Sequence, residues 1–181
     1  MAKAIRIQQH GGPEVLQLVD VEVGNPGEDE VRLRQSAIGL NFIDVYVRTG
    51  LYPVPQLPCG MGFEGAGIIE AVGENVIDLV VGDRVAYAGL PPGAYAEERL
   101  IPAHRLVLLP DAISDQQAAG MMLQGMTVQY LLRSTFRVRP GDTVLLHAAS
   151  GGVGRAACQW DRARAAVVCR RLDAADAAQQ N

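Results

Sequence analysis

Cysteine is scarce. The three present, Cys59, Cys158 and Cys169, are scattered and odd in number. They form neither a disulfide framework nor the close spacing of metal ligands, so a reduced, cytoplasmic setting is expected. Lysine is almost missing. Lys3 is the one lysine among sixteen basic residues, a bias we read as codon usage rather than function. No basic run occurs, the formal net charge is −4 and the pI is near 5.3. These values argue against a nucleic-acid surface. No apolar stretch approaches the ~20 residues of a membrane span. The opening Met-Ala-Lys-Ala-Ile-Arg runs straight into a strand pattern rather than a signal peptide. His10, His104 and His147 are too dispersed to form a cluster.

The strongest positive feature is Gly141 to Gly154. Val144, Leu145 and Leu146 make a short apolar run, as for a strand buried on both faces. His147 ends that strand and reads as a satisfied core histidine rather than a catalyst. Gly151, Gly152 and Gly154 then remove side chains where the backbone turns and a helix begins. Exposed amides at a helix start, aided by the helix dipole, bind anions such as a pyrophosphate. The dinucleotide fingerprint is G-x-G-x-x-G in a strand–turn–helix unit. Here it reads Ala149-Ser150-Gly151-Gly152-Val153-Gly154, with Ala149 in place of the first glycine.

The preceding chain reads as all-β, with enough apolar content, 49%, for a core. Strands are expected at Ala4–Ile7, Val15–Val21, Glu30–Ile38, Gly65–Gly73, Asp83–Tyr87 and Ala94–Leu100, at the spacing of a small barrel. Val31 and Leu33 share one face. Asn41 to Arg48 reads as one or two helical turns ending near Gly50. Ser114-Asp-Gln-Gln117 resembles a capped helix start. That helix is expected to run to about Arg133, with Gly120 and Gly125 as interruptions.

The tail differs in texture. All 20 glycines lie at or before Gly154 and all ten prolines at or before Pro140. After Trp160 the sequence lacks both a helix-ending glycine and a polar ribose-reading position after a second strand. Val167-Val168-Cys169 reads as a stub of that strand. Arg170 and Arg171 read as a solvated pair rather than a 2′-phosphate clamp. The texture fits a frameshift or truncation in an arginine-codon-rich gene.

Several motifs occur in order: His10-Gly-Gly-Pro-Glu-Val-Leu16, Ala37-Ile-Gly-Leu-Asn-Phe-Ile-Asp44, Arg48-Thr-Gly-Leu-Tyr-Pro53, Gly62-Phe-Glu-Gly-Ala-Gly67, Val81-Gly-Asp-Arg-Val85 and His147-Ala-Ala-Ser-Gly-Gly-Val-Gly154. With them the chain resembles, from Lys3 to about Trp160, the quinone oxidoreductase (zeta-crystallin-like) branch of the medium-chain dehydrogenase/reductase superfamily. The resemblance implies a mixed α/β fold. A GroES-like β-barrel catalytic domain (residues 1–113) precedes a linking helix (114–135). The first strand–turn–helix of a Rossmann domain follows (136–181), with a divergent tail from about residue 161. It implies NADPH as cofactor and hydride transfer to a small-molecule quinone in the cleft between the two domains. Most of the family's cofactor domain is missing from the sequence, and with it the family's homodimer interface. The competing expectation is a truncated, non-catalytic GroES-like module that does not hold NADPH by itself.

Alcohol dehydrogenase relatives carry a Cys and a His as catalytic zinc ligands in this barrel; the matching positions here are Asn41 and Phe63. A phenyl ring cannot ligate zinc and an amide is a poor ligand, so zinc-independent chemistry is implied, with no metal site. A quinone is already electrophilic and needs face-to-face alignment plus a donor near the oxygen that gains charge. Asn41, Tyr46 and Tyr52 are the candidate catalytic donors. From pattern alone Tyr46 and Tyr52 read as half-buried core tyrosines; the resemblance assigns them to the pocket. It likewise assigns Phe42, Ile43, Asp44, Val45, Tyr46 and Tyr130 to the nicotinamide half of NADPH, and Gly152 and Val153 to the pyrophosphate. Plain helix packing remains open for Tyr130, and a local cap or pair for Asp44. Cys59, in a Pro-Cys-Gly-Met-Gly loop, has nothing nearby that would clearly activate it.

Overall fold

The computed structural model describes residues 1–163 and 167–171, with backbone alone at 162–163 and 167–171. The chain divides into two compact units, Met1–Met122 and Leu123–Asn181.

The first unit is built on β1 (Ala2–Ile7), β2 (Gln17–Val21), β3 (Glu30–Gly39), helix α1 (Phe42–Thr49), β4 (Cys59–Gly60), β5 (Glu64–Val72), β6 (Arg84–Ala88), β7 (Glu98–Pro102), β8 (Val107–Leu108) and helix α2 (Asp115–Ala119). Two antiparallel sheets form, ordered β2-β1-β4 and β7-β3-β5-β6-β8. An isolated bridge, Ala4 to Ala96, ties β1 to the segment leading into β7. That segment is held by single bonds rather than a ladder, so β7 begins at Glu98 and not at Ala94.

Alternation places the core. Val31 and Leu33 of β3 are both fully buried, against Ile69, Val85, Tyr87 and Ile101. A second cluster joins Ile7, Val15, Val47, Met61 and Phe63, so the inner face of α1 closes one side of the barrel. Ala118 and Ala119 of α2 lie on Ala66 and Ala86. Four small side chains at that seam let the helix backbone approach the sheet closely.

The single helix expected from Ser114 to about Arg133 is instead α2, then α3 (Met122–Gln129), then a π-helical segment, Tyr130–Thr135. Gly120 ends α2 as its C-cap, with its N–H on the Gln116 carbonyl. Gly125 sits within α3 and does not break it.

The second unit continues with β9 (Thr143–His147), α4 (Gly152–Ala163) and β10 (Val167–Arg171), the last parallel to β9. Parallel neighbours need a crossover, which α4 supplies. The expectation that β9 is buried on both faces fails. Val144 and Leu146 pack with Val128, Leu132, Val138, Ala157 and Trp160, whereas Leu145 is 60% exposed and His147 is exposed. Among the described residues, helices cover only one face of this strand pair. His147 is therefore no core histidine. The strand stub expected at 167–169 is β10; the side chains of Arg170 and Arg171 and the tail from 172 lie outside the described residues. Among the described residues no helix is long and apolar enough to cross a membrane.

Helix α2 is pinned by its first residue. Ser114 caps it reciprocally with Gln117. Asp115 accepts from Ser36 Oγ at 2.5 Å and from Arg84 Nη2 at 2.6 Å. The Ser36 bond first, then Arg84, hold the Asp115 carboxyl below its ordinary 3.8. A lowered carboxyl stabilises the fold above its unfolded-state value and loses that contribution as pH falls through its folded value. Asp115→Ala should thus cost about 1–3 kcal/mol at pH 7. The gap to the parent should narrow below pH 3.8. Denaturant titrations at pH 7 and pH 3 check both statements.

Candidate active site

Helix α1 is the centre of the site in the first unit. Its start is set by Asn41, whose backbone N–H donates to Asp44 Oδ2 at 2.8 Å, the returning half of a capping box. Its end is set by Gly50, in the left-handed region at φ 83°. The loop after β1 seals the last turn. Gly11 N–H donates to the Arg48 carbonyl at 3.0 Å, and His10 Nδ1 lies 3.0 Å from the Val47 carbonyl. Asp44 in the first turn and Arg48 in the last also suit the helix dipole.

The outer face of α1 carries aromatic rings. Phe42 and Tyr46 meet edge to face at 5.1 Å, and Tyr46 meets Tyr52 at 5.1 Å. The Tyr52 N–H on the Tyr46 carbonyl, 3.1 Å, folds the Gly50 corner back onto the helix. Phe42 is 69% exposed and Tyr52 about half. These three rings therefore do not fill the core; they present a contiguous aromatic surface. The opposite face of α1 points inward. Val47 is in the core, Ile43 packs beside it, and Asp44 is buried. Val45 lines a small cavity with Asp44 and Arg48.

Asn41 is 8% exposed, and its Nδ2 donates to Glu64 Oε2 at 2.6 Å. Glu64, the first residue of β5, is completely buried. Gly39 makes that bond possible. A Cβ there would run into both the Ala119 carbonyl oxygen and the Glu64 carboxylate. Phe63 packs with Ile7, Val15, Val47 and Met61 as an ordinary core residue. Among the described residues no three His, Cys, Asp or Glu side chains gather into a possible metal cluster.

Sequence reasoning missed two residues. Tyr95 donates its hydroxyl to Asp44 Oδ2 at 2.6 Å, and Glu64 holds Asn41. A polar residue in a strand that reads as core was the one available signal for Glu64; Tyr95 had none. Burial pushes the Asp44 carboxyl up, with the Tyr95 and Asn41 bonds opposing. Burial, then Asp44, raise the Tyr95 phenol. Cys59 is half-buried; burial raises its thiol and outweighs the pull of Arg6, so it is not activated.

In the second unit the glycine turn takes the expected form. Ala148 adopts φ 51°, Gly151 N–H returns to the Ala148 carbonyl at 3.0 Å, and α4 starts at Gly152. A Cβ on Gly154 would sit 2.5 Å from the Ala148 oxygen, so only glycine fits where helix and strand meet. Gly151, Gly152 and Val153 are exposed. The first amides of α4 have no intrahelical acceptor, and the Gln124 side chain lies beside Gly152, 3.1 Å from where a Cβ would stand. Tyr130 is about half exposed on the π-helical segment.

Residues 27–111 match the alcohol dehydrogenase GroES-like domain family. The quinone oxidoreductase of Pseudomonas aeruginosa is 57% identical over 163 residues, 90% of this chain and 50% of that protein. The crystal structure of a Pseudomonas syringae pv. tomato quinone oxidoreductase superposes with a TM-score of 0.94 at 54% identity, covering 98% of this chain and 55% of that one. The Escherichia coli quinone oxidoreductase in complex with NADPH gives 0.94 at 47% identity, covering 98% and 54%. The chain is homologous to the quinone oxidoreductases of the medium-chain dehydrogenase/reductase superfamily and carries its GroES-like domain. It spans about half the length of the curated family members it matches. The fold is the family's mixed α/β arrangement, a GroES-like domain with part of a Rossmann-type domain.

Gly39→Ala should lower stability by about 1–3 kcal/mol, because the added methyl meets a backbone oxygen that cannot swing aside. Thermal and urea unfolding of the variant check this; an unchanged midpoint would contradict the close approach.

Proposed function

We propose that this chain carries the barrel-borne part of an NADPH:quinone reductase site. The aromatic surface of Phe42, Tyr46 and Tyr52, set beside an Asn41 locked on buried Glu64, is the observation that carries the reading. Flat, apolar faces with hydroxyls at their edges suit a flat, apolar ring whose oxygens accept hydrogen bonds. The naming of its relatives as quinone oxidoreductases supports the same reading.

When bound, NADPH supplies the hydride that, with one proton, turns a quinone into a hydroquinone. The donor set fits that group. The backbone amides of Gly152 and Val153 at the start of α4 would hold the pyrophosphate. Phe42, Ile43, Asp44, Val45, Tyr46 and Tyr130 are the proposed nicotinamide-side residues. Phe42 and Tyr46 would offer ring surface, while Ile43, Asp44 and Val45 set the helix that presents them. Asn41, Tyr46 and Tyr52 are the proposed donors toward the quinone oxygen that gains charge, and a tyrosine hydroxyl can pass the proton on. The residue at the zinc-ligand position, Phe63, lies in the core, so the proposed chemistry runs without zinc.

A second reading has a specific observation behind it. With Leu145 exposed on the outer face of β9, the cofactor half of this chain leaves apolar strand surface uncovered among the described residues. On this reading the barrel is present but NADPH is not held by the chain alone.

Fluorescence titration with NADPH, followed by NADPH oxidation with a simple benzoquinone, separates the two. The reductase reading expects saturable binding and turnover, with Tyr52→Phe reducing kcat about tenfold or more at an unchanged fold. A folded sample that does not bind NADPH favours the second reading.

A further inference from the structure

We propose that Tyr95 is a positioning residue for this site, fixing Asn41 and the start of α1 through a single carboxylate oxygen of Asp44. The role in catalysis rests on the function proposed above; the mechanical link stands on geometry alone.

Asp44 is 5% exposed. Both described hydrogen bonds of its carboxylate end on Oδ2, one from the Asn41 backbone N–H at 2.8 Å and one from the Tyr95 hydroxyl at 2.6 Å. Its other oxygen, Oδ1, is buried without a hydrogen-bond partner. One atom thus carries the tether, and Tyr95 supplies half of it. A buried carboxylate keeps its place only while its donors do.

The backbone around Tyr95 is itself held by hydrogen bonds. Gln35 Nε2 donates to the carbonyls of Ala94, 2.8 Å, and Ala96, 2.6 Å, the peptide groups flanking the tyrosine. The Tyr95 carbonyl accepts from Ile5 N–H at 2.7 Å, and its N–H donates to the Met61 carbonyl at 2.8 Å. Gln35 is in turn fixed by the hydroxyl of buried Tyr87, which Arg99 flanks. The Tyr95 ring lies across Gly62, where a Cβ would collide with it and where φ is +88°. Two residues on, Glu64 holds the Asn41 side chain. Tyr95 therefore links the two holders of Asn41: Asp44 on its backbone and the Gly62–Glu64 strand entry on its amide. A conformational error in Tyr95 would move the donor and the helix bearing Tyr46 together.

The test uses the full chain with Tyr95→Phe, which keeps the ring on Gly62 and deletes the hydroxyl. Amide hydrogen exchange of Asn41 should quicken about tenfold or more, while Ile69 and Val85 in the main sheet keep their protection. Asp44→Asn, which weakens the same tether from its other side, should give the same local pattern. Combining the two should quicken Asn41 by less than the product of the single effects, because both act on the same Oδ2. If either single variant folds poorly, the exchange pattern of the other still reports on the tether. In an active chain, kcat with benzoquinone should fall about tenfold while KM stays within about twofold.

Unchanged exchange at Asn41, or an even loss of protection across the sheet, overturns the tether. Local exchange with unchanged kcat overturns its role in the reaction. A parent chain without turnover but with the local exchange pattern refutes the functional reading and leaves the Tyr95–Asp44–Asn41 link supported.

Discussion

Helix α1 has eight residues, too few to be stable alone. It must be held at both ends, and the site depends on how. At its start, Asp44 Oδ2 gathers the Asn41 N–H and the Tyr95 hydroxyl. At its end, Gly11 and His10 meet the last carbonyls, and Gly50 turns the chain out. Between these clamps Val47 anchors the inner face in the core. The outer face is then free to hold Phe42 and Tyr46 in the open, with Tyr52 folded back against them. Exposed aromatic rings become a usable surface only because the helix beneath them cannot roll.

The barrel supplies that rigidity through unusually close approaches. Gly39 lets β3 pass against the Ala119 carbonyl and the Glu64 carboxylate, and Gly62 lets the Tyr95 ring cross the entry to β5. Small residues at the seam with α2 serve the same end. Polar groups then enter a core that would otherwise be apolar: Glu64, Asp44, Arg99 and Asn41 are all buried. Burying such groups is tolerable only when they are hydrogen-bonded. Bonds of that kind run from Asn41 to Glu64, from Tyr95 to Asp44 and from Arg99 to the Pro91 carbonyl.

The two units differ in how fully they are enclosed. The first has two sheets, a cluster under each and a helix over the α2 seam. In the second, Val144 and Leu146 of β9 pack against helices among the described residues, and Leu145 looks outward. The glycine turn is nonetheless fully formed, since it needs only the local geometry of Ala148 and the room left by Gly154. A handful of residues thus shapes the turn, although the sheet beside it is two strands wide among the described residues.

The sequence by itself determined what is local. Alternation marked Val31 and Leu33 as buried, Gly50 marked the end of α1, Ser114 to Gln117 marked a cap, and the glycines from 151 marked the turn into α4. Each is set by periodicity or by backbone conformations that few residues tolerate. Tertiary structure decided the rest. Whether β9 would be buried on one face or two depends on what packs there, which no run of apolar residues reveals. The linking helix broke at Gly120 yet passed through Gly125, because a glycine ends a helix only where caps and packing favour the exit. Asp44 as a carboxylate shared with Tyr95, and Glu64 as the holder of Asn41, join residues 51 and 23 positions apart. No periodicity spans such distances; only folding brings those atoms within hydrogen-bond reach.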